Sequence, residues 1–173
     1  EQFNTKARPV NLLDIAQDAV ARLYPEFERK NQQIAIEGDE QLGREIFTIY
    51  GEPFALETLL TNLLTNASRY TPLNGQIVAS LLRHSDKVIL SVEDDGEGIA
   101  LEDRARIFDR FTRLSGAQTG GVSGCGLGLA IVRHVADLHG ALVKVTSSRF
   151  DTGTAFIVEF TIEGAVNNGK KDE

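Results

Sequence analysis

The sequence predicts one α+β domain of two layers, with helices on one face of a mixed, mostly antiparallel sheet. Apolar residues recur at helical spacing in three segments, and hairpin-like pairs of short apolar runs lie between and after them. This mixture of hairpins and helices favours an α+β class over a regular alternation of strands and helices. A length of 173 residues is enough for a single domain with a substantial core.

The first half of the chain is predicted to hold two long helices with short strands between them. The first helix covers Asn11–Arg29 and contains Pro25, where we expect a kink or an early end. Two β-like runs follow, at Gln33–Glu37 and Glu45–Tyr50. The second helix covers Pro53–Tyr70, because a proline suits its first turn and another proline stops the pattern.

The second half is predicted to begin with a hairpin and to close with a pair of strands. In order, we predict strands Gln76–Arg83 and Lys87–Glu93, a short helix within Leu101–Phe111, a loop at 115–123, a helix Leu127–His139 ended by Gly140, and strands Ala141–Ser148 and Thr154–Ile162.

Composition disfavours several classes of protein. A net charge of −7 argues against a general nucleic-acid or anionic-membrane surface. The single cysteine allows no intrachain disulfide, which suits a reducing compartment. The apolar runs are much shorter than the ~20 residues that cross a bilayer, and no signal peptide is visible.

The most informative stretch is GCGLGL at residues 124–129, which runs directly into an apolar helical pattern. Glycines let the backbone approach a ligand closely, and the N-terminus of the following helix favours phosphate. The spacing matches neither the dinucleotide motif G-x-G-x-x-G nor a P-loop. A second interpretation is a flexible loop that caps a helix.

The predicted second helix carries a polar column besides its core face. Asn62, Asn66 and Arg69 stack at i, i+4 and i+7, well round from the leucines of the core stripe. Asparagine gains nothing there from helix propensity, whereas amide oxygens ligate hard cations and arginine neutralises phosphate. The column therefore predicts either a metal and phosphate site or a solvated helix face.

Asp94 ends a strand whose alternate residues are apolar, so the period places its carboxylate on the buried side. A buried carboxylate needs a partner, and the exocyclic amine of a base is suitable because a carboxylate accepts hydrogen bonds and rejects a carbonyl. An Asx turn at the end of the strand would also explain an aspartate here.

Five motifs resemble, in the same order, those of sensor histidine kinases, and the similarity covers roughly residues 10–162. They are an N box NLLTNASRYTP at 62–72, a first glycine box DDGEGI at 94–99, an F box IFDRFTR at 107–113, a second glycine box at 124–129 and a short glycine motif GTAF at 153–156. Each motif alone is weak, but the ordered set resembles the ATP-binding catalytic domain of two-component histidine kinases. Its superfamily also includes DNA gyrase, a heat-shock chaperone and the mismatch-repair ATPases.

The resemblance implies an α+β two-layer sandwich of the GHKL type that binds ATP and Mg²⁺, and it assigns roles to residues. At the base, Asp94 would accept a hydrogen bond from the adenine amine and Tyr70 would stack nearby. The other residues implied at this end are Gly96, Gly98, Ile99 and Thr154. At the phosphates, Asn62 and Asn66 would hold Mg²⁺. The remaining phosphate-side residues are Arg69, Arg110, Arg113, Gly124, Gly126, Leu127, Gly128 and Leu129.

The sequence departs from the family's pattern at two points. Cys125 stands where the family usually has Ser or Thr, and we interpret it as a packing residue. The phosphoacceptor histidine of the family is missing, because His84, His134 and His139 lack its sequence context and are interpreted as structural or solvated. The acceptor is therefore expected on an absent dimerisation domain.

The predicted function is donation of the γ-phosphoryl group of Mg·ATP to that histidine, for relay to an aspartate of a response regulator. An ATPase of the gyrase or mismatch-repair kind is less favoured, because Asn62 stands where that group has a glutamate base and Glu57 is a poor substitute. A non-catalytic regulatory module that binds nucleotide, or only a partner protein, is disfavoured by the intact set of Asn62, Asn66, Asp94 and the glycines. A serine-directed kinase of the anti-sigma type is a further alternative within this fold.

The resemblance also divides the chain and suggests its context. Residues 1–10 are expected to be a linker from the dimerisation domain, 11–163 the catalytic domain and 164–173 a polar tail. The loop at 115–123 would close over the phosphates. Phe108 and Phe111 would anchor the base of that loop or contact the dimerisation helices, or else pack in the core. The parent is expected to be a homodimeric inner-membrane sensor kinase with this domain in the cytoplasm.

Overall fold

The structure is a computed structural model that describes residues 7–38, 43–109 and 127–162. Its elements are β1 (Arg8–Asn11), α1 (Leu12–Arg29), β2 (Gln33–Gly38), a 3₁₀ helix (Arg44–Phe47), β3 (Thr48–Gly51), α2 (Pro53–Tyr70), β4 (Gln76–His84), β5 (Lys87–Asp94), α3 (Gly128–Leu138), β6 (Leu142–Ser147) and β7 (Thr154–Thr161).

The described strands form a five-stranded sheet in the order β2-β4-β5-β7-β6, and β1 pairs with β3 in a separate ribbon. Only β2 and β4 are parallel, and the other three pairs of the large sheet are antiparallel. The α+β sandwich with a mixed, mostly antiparallel sheet is therefore confirmed.

The core lies between the helices and one face of the sheet. On β5 the side chains of Val88, Leu90 and Val92 are buried, and they alternate with half-buried residues of the opposite face. The predicted leucine stripe of α2 is buried as well, so this helix and the central strand share one hydrophobic layer.

Local sequence fixes where the two long helices begin. The side chain of Asn11 caps α1, with Oδ1 accepting a hydrogen bond from Leu13 N at 2.8 Å. The side chain of Glu52 caps α2 by accepting from Ala55 N at 2.7 Å. Pro25 lies inside α1, which continues to Arg29 as predicted, so of the two alternatives for this proline the early end does not occur.

Two other sequence-based assignments are corrected. The run Glu45–Tyr50 is not all strand, because β1 pairs only with residues 48–51 and the preceding residues form the 3₁₀ helix. The predicted short helix within 101–111 is absent from its described part, 101–109. That stretch consists of consecutive turns, in which Arg106 N donates to Asp103 O at 2.9 Å.

Candidate nucleotide-binding site

Asp94 ends β5 with its carboxylate directed to the buried side, as the strand period predicts. The side chain is 2% exposed. Its Oδ1 accepts hydrogen bonds from Gly96 N at 2.9 Å and from Thr154 N at 3.3 Å. Both of these bonds use the same oxygen. One carboxylate oxygen is thus held by two backbone groups, and Oδ2 is the acceptor suited to a ligand.

Burial controls the ionisation of this carboxylate. Desolvation raises the pKa of Asp94 to about 6, although the N–H groups of Gly96 and Thr154 act in the opposite direction. Above pH 6 the group is therefore an anion and an acceptor only. Such a group distinguishes a base that offers an amine from one that offers a carbonyl at the same place.

Glycines pack the backbone tightly round Asp94. A Cβ on Gly153 would overlap the carbonyl oxygen of Asp94, and its φ of +113° is itself unfavourable for other residues. Gly98, with φ +81°, lies against the backbone of Gly153. A Cβ on Gly96 would stand 2.5 Å from Tyr70 O. No side chain other than hydrogen fits at these turns without displacing backbone.

The second part of the site lies where α2 and α3 meet. Asn62 Nδ2 donates to Thr58 O at 2.8 Å, which fixes the orientation of the amide. Its Oδ1 then faces α3, where a Cβ on Gly128 would stand only 2.9 Å away. The structure thus brings together the amide oxygen of the N box and the last glycine of the second glycine box.

The other predicted residues of α2 follow Asn62 along the same helix. Asn66 and Arg69 are half-buried, and Tyr70 is 42% exposed at the end of the helix. The carbonyl of Tyr70 touches Gly96, so the end of α2 lies against the turn after Asp94. The predicted column is therefore neither part of the core nor a fully solvated face.

The N-terminus of α3 lacks a side-chain cap. Leu127 is the N-cap residue and makes no side-chain capping hydrogen bond, and Ile131 N is the first to reach back, to Leu127 O at 3.0 Å. The N–H groups of the first turn of a helix point along its axis away from the helix, a geometry that suits an anion. Leu129 packs against the core and holds this end of the helix in place.

The remaining predicted site residues divide between the described ranges and the rest of the chain. Ile99 is half-buried against the core and Thr154 is buried beside Asp94. Phe108 packs edge-on against Phe156, with ring centroids 6.1 Å apart, which supports the core-packing interpretation. The following predicted positions lie outside the described residues: Arg110, Phe111, Arg113, the loop 115–123, Gly124, Cys125 and Gly126.

Sequence reasoning missed two polar residues that support the site. His139 Nε2 accepts from Glu52 N at 3.1 Å, and Nδ1 lies 2.7 Å from Val135 O, so the ring joins the end of α3 to the start of α2. Gln32, which is 6% exposed, donates to carbonyls at the end of α2. No local signal indicates the contacts of Gln32 with the end of α2 or of His139 with Glu52, because each joins segments distant in sequence.

Other polar groups have structural explanations. Glu57 forms an ion pair with Arg22 of α1, so its carboxylate is turned away from Asn62. His84 and His134 are exposed. Among the described residues there is no cluster of three His, Cys, Asp or Glu side chains that could hold a metal ion.

A comparison with known families decides the assignment. The model of the "Histidine kinase-, DNA gyrase B-, and HSP90-like ATPase" family matches residues 51–164. The chain belongs to this family. The match includes Asn62, Asp94 and Gly128, so the described site coincides with the family's ATPase domain.

Similar full-length proteins are sensor kinases. The swarming motility regulation sensor protein RssA of Serratia marcescens is 32% identical over 92% of this chain and 32% of its own length. The sensor protein kinase PmrB of Pseudomonas aeruginosa is 36% identical over 80% of this chain and 27% of its own length. The present chain therefore spans about a third of the length of these relatives. It corresponds to the catalytic, ATP-binding domain of a sensor histidine kinase.

Solved structures agree on the fold. A nucleotide-free form of the catalytic domain of histidine kinase ThkA matches with a TM-score of 0.76 and 25% identity, covering 90% of this chain and 97% of that one. Full-length ShkA in complex with AMPPNP matches with a TM-score of 0.73 and 28% identity, covering 90% and 31%. In the described residues, no helix is both long and apolar enough to cross a membrane.

Proposed function

We propose that this domain binds Mg·ATP with adenine at Asp94 and donates the γ-phosphoryl group to a histidine of a dimerisation domain. The observation that carries the proposal is the buried carboxylate of Asp94, which two backbone N–H groups hold by one oxygen. The other oxygen is suited to accept from the adenine amine. Binding of AMPPNP by ShkA, a structural relative, supports an adenine nucleotide in this fold.

The phosphates would extend from the turn 95–98 that follows Asp94, called the adenine turn below, towards Asn62 and the N-terminus of α3. The residues present fit Mg²⁺, because the Oδ1 of Asn62 is oriented by its hydrogen bond to Thr58 and Asn66 lies one turn further on. Bound Mg²⁺ would neutralise phosphate charge. Arg69 is proposed at the phosphates, and Arg110 or Arg113 at the γ-phosphate. The glycines Gly124, Gly126 and Gly128 would offer backbone N–H groups.

The transfer needs positioning and charge neutralisation more than covalent chemistry from this domain. A nitrogen of the acceptor histidine attacks the γ-phosphorus, the bond to the bridging oxygen breaks, and ADP leaves. The phosphoryl group then passes to a response-regulator aspartate, in keeping with the structural relative ThkA in complex with its response regulator TrrA. The parent is proposed to be a homodimeric inner-membrane kinase that keeps this domain in the cytoplasm.

Calorimetric titration tests the binding step. The wild type should bind ATP, bind it more tightly with Mg²⁺, and discriminate against GTP, whose base offers a carbonyl where adenine has the amine. Asp94→Asn should weaken ATP binding by a few kcal/mol at most, since an amide can still turn towards the base. Equal affinity of the variant and the wild type would remove Asp94 from base recognition.

Transfer is tested separately by adding a dimerisation domain and measuring acid-labile phosphohistidine. Asn66→Asp should keep nucleotide binding but lose Mg²⁺-dependent transfer, because the added charge displaces the metal from its productive position. Unchanged transfer by this variant would exclude a metal role for Asn66. Release of inorganic phosphate without phosphohistidine would instead favour a hydrolase of the gyrase or mismatch-repair kind.

A further inference from the structure

The turn between α1 and β2 lies directly against the turn between α2 and β4. Gln33 N donates to Gly75 O at 2.9 Å and Asn74 N donates to Lys30 O at 3.2 Å. The side chain of Asn31 adds a donor to Asn74 Oδ1 at 2.7 Å. Two turns that are some forty residues apart in sequence are therefore joined by a dense set of hydrogen bonds.

Gln32 stands at the centre of this contact. Its Nε2 donates to Ser68 O at 2.9 Å and to Thr71 O at 2.8 Å, and its Oε1 accepts from Ser68 Oγ at 2.9 Å. Gln32, Ser68 and Thr71 are all more than nine-tenths buried. The last carbonyls of a helix have no partner within the helix. Gln32 supplies the donor to Thr71 O, and it shares Ser68 O with Lys30 Nζ.

The carbonyls that Gln32 holds flank the residue that touches the adenine turn. Tyr70 lies between Ser68 and Thr71, and its carbonyl is in contact with Gly96. Gly96 in turn donates to Asp94 Oδ1. A displacement at the end of α2 would thus be passed through one contact to the turn that orients the carboxylate of Asp94.

A second contact links the segment after α2 to the adenine turn. Asp95 N donates to Gln76 O at 3.2 Å, and a Cβ on Gly75 would stand 2.6 Å from Asp95 Oδ1. The turn 71–75 is therefore enclosed between the α1–β2 turn on one side and the adenine turn on the other.

We infer that Gln32 is a positioning residue for nucleotide recognition: it sets the end of α2, and through Tyr70 and Gly96 it sets the carboxylate of Asp94. This inference rests on the proposed function, in which adenine binds at Asp94. Gln32 acts on the part of the site that binds adenine and not on the part that binds the metal. Loss of Gln32 should therefore weaken ATP binding equally with and without Mg²⁺.

The test compares Gln32→Met, which keeps the length of the side chain but removes its hydrogen bonds, with Ser68→Ala, which removes only the donor to Oε1. A matched control is Val143→Ala, a truncation in a half-buried side chain of β6, at the far edge of the sheet. Titrations with ATP, with and without Mg²⁺, are made on the 173-residue chain at a temperature where circular dichroism shows each variant folded.

The expected result is about a tenfold to hundredfold loss of ATP affinity for Gln32→Met, a smaller loss for Ser68→Ala and no loss for the control. Ser68→Ala added to Gln32→Met should cost nothing more, since their partners are shared. In nucleotide-free protein, the amide resonances of Gly96 and Thr154 should shift in Gln32→Met and stay in place in Val143→Ala.

Wild-type affinity in Gln32→Met, or an equal loss in Val143→Ala, would overturn the inference while leaving the adenine site intact. Should Gln32→Met fail to fold, Ser68→Ala carries the test, and unchanged Gly96 and Thr154 resonances in it would also overturn the inference. Failure of the proposed function has a different signature, in which the wild type itself binds no ATP or binds it independently of Asp94. In that case the resonance comparison still shows whether Gln32 sets the turn that holds the carboxylate of Asp94.

Discussion

Gly128, the first residue of α3, lies directly against the amide of Asn62 in the middle of α2. A Cβ there would stand 2.9 Å from Asn62 Oδ1, closer than such atoms approach one another. The obstruction is the end of a side chain rather than backbone, so the amide can rotate away at little cost to folding. Gly128→Ala should therefore keep or slightly raise stability, by up to about 1 kcal/mol from helix propensity, while Mg²⁺-dependent nucleotide binding falls.

A matched control for this prediction is Ala130→Gly in the first turn of the same helix. It should lower stability by roughly 0.5–1 kcal/mol and leave Mg²⁺-dependent binding unchanged, which is the opposite pattern. Urea unfolding and calorimetry on both variants make the comparison. Normal Mg²⁺ dependence in Gly128→Ala would show that the position of Asn62 does not matter for the metal.

Nucleotide affinity should depend on the ionisation of Asp94. Its pKa is raised to about 6 in the nucleotide-free protein, and only the anion is a pure acceptor for the adenine amine. We expect ATP affinity to fall as pH drops below 6. The same titration with Asp94→Asn corrects for protonation of the nucleotide itself, and a parallel pH dependence in the two proteins would contradict the assignment.

The same shift makes Asp94 a destabilising group in the absence of ligand. The pKa of this carboxyl is 3.8 in the unfolded chain and about 6 in the folded protein. The group therefore stabilises the fold below pH 4, and this stabilisation is lost as pH rises through 6. Asp94→Asn should therefore be more stable than the wild type at pH 7.5, by on the order of 2–3 kcal/mol, and the gain should vanish near pH 3.5. Urea unfolding at both pH values measures it, and a loss at pH 7.5 would contradict the sign.

The sequence predicted well those features that follow from the spacing of apolar residues within one strand or one helix. Alternation along β5 predicted the burial of Asp94, and helical spacing predicted that Asn62 would lie off the leucine stripe of α2. Each depends only on residues a few positions away, so the geometry of one strand or one helix turn is enough. The ordered motifs then added the family, which the family match confirmed.

The features that sequence did not predict depend on contacts between distant segments. Residues 45–47 have strand-like composition, yet β1 offers pairing only to 48–51. Pro25 remains inside α1 although local rules favour an end there, because tertiary packing of the apolar face outweighs a local preference. Gln32 and His139 bond to backbone 36 and 87 residues away, and no spacing in the chain indicates either contact.

Gly153 should tolerate no side chain. Its φ is +113° and a Cβ would overlap the backbone of Asp94, so Gly153→Ala must displace the adenine turn itself. Gly140 is the matched control, because its φ is +61° and an added Cβ would meet nothing within 4 Å. We expect roughly 1 kcal/mol of destabilisation for Gly140→Ala and about 3 kcal/mol or more for Gly153→Ala, with ATP binding lost only in the latter. Equal unfolding midpoints would show that the turn is more adaptable than its packing indicates.

His139 should make the stability of the domain sensitive to acid. Burial lowers its pKa, against the raising effects of Val135 O and Glu52, so the neutral ring is the folded form. The unfolded state binds the proton more tightly. The stability that His139 contributes is therefore complete above about pH 6.5 and is lost as pH falls below that value. Protonation also removes the acceptor at Nε2 for Glu52 N, the contact that joins α3 to the start of α2. His139→Ala should cost about 1–3 kcal/mol at pH 7.5 and less at pH 5.5.

Asp94 changes stability in the opposite direction over the same pH range, so the His139 comparison is made in the Asp94→Asn background. His134→Gln is the matched control, because that histidine is exposed on the same helix and should change neither the midpoint nor its pH dependence. Urea midpoints at pH 5.5 and 7.5 give the slope for each variant. If His139→Ala and the Asp94→Asn protein lose stability in parallel on acidification, the acid sensitivity does not come from His139. The ring would then hold the two helices by packing against Gly51 and Phe160 rather than through its neutral nitrogen.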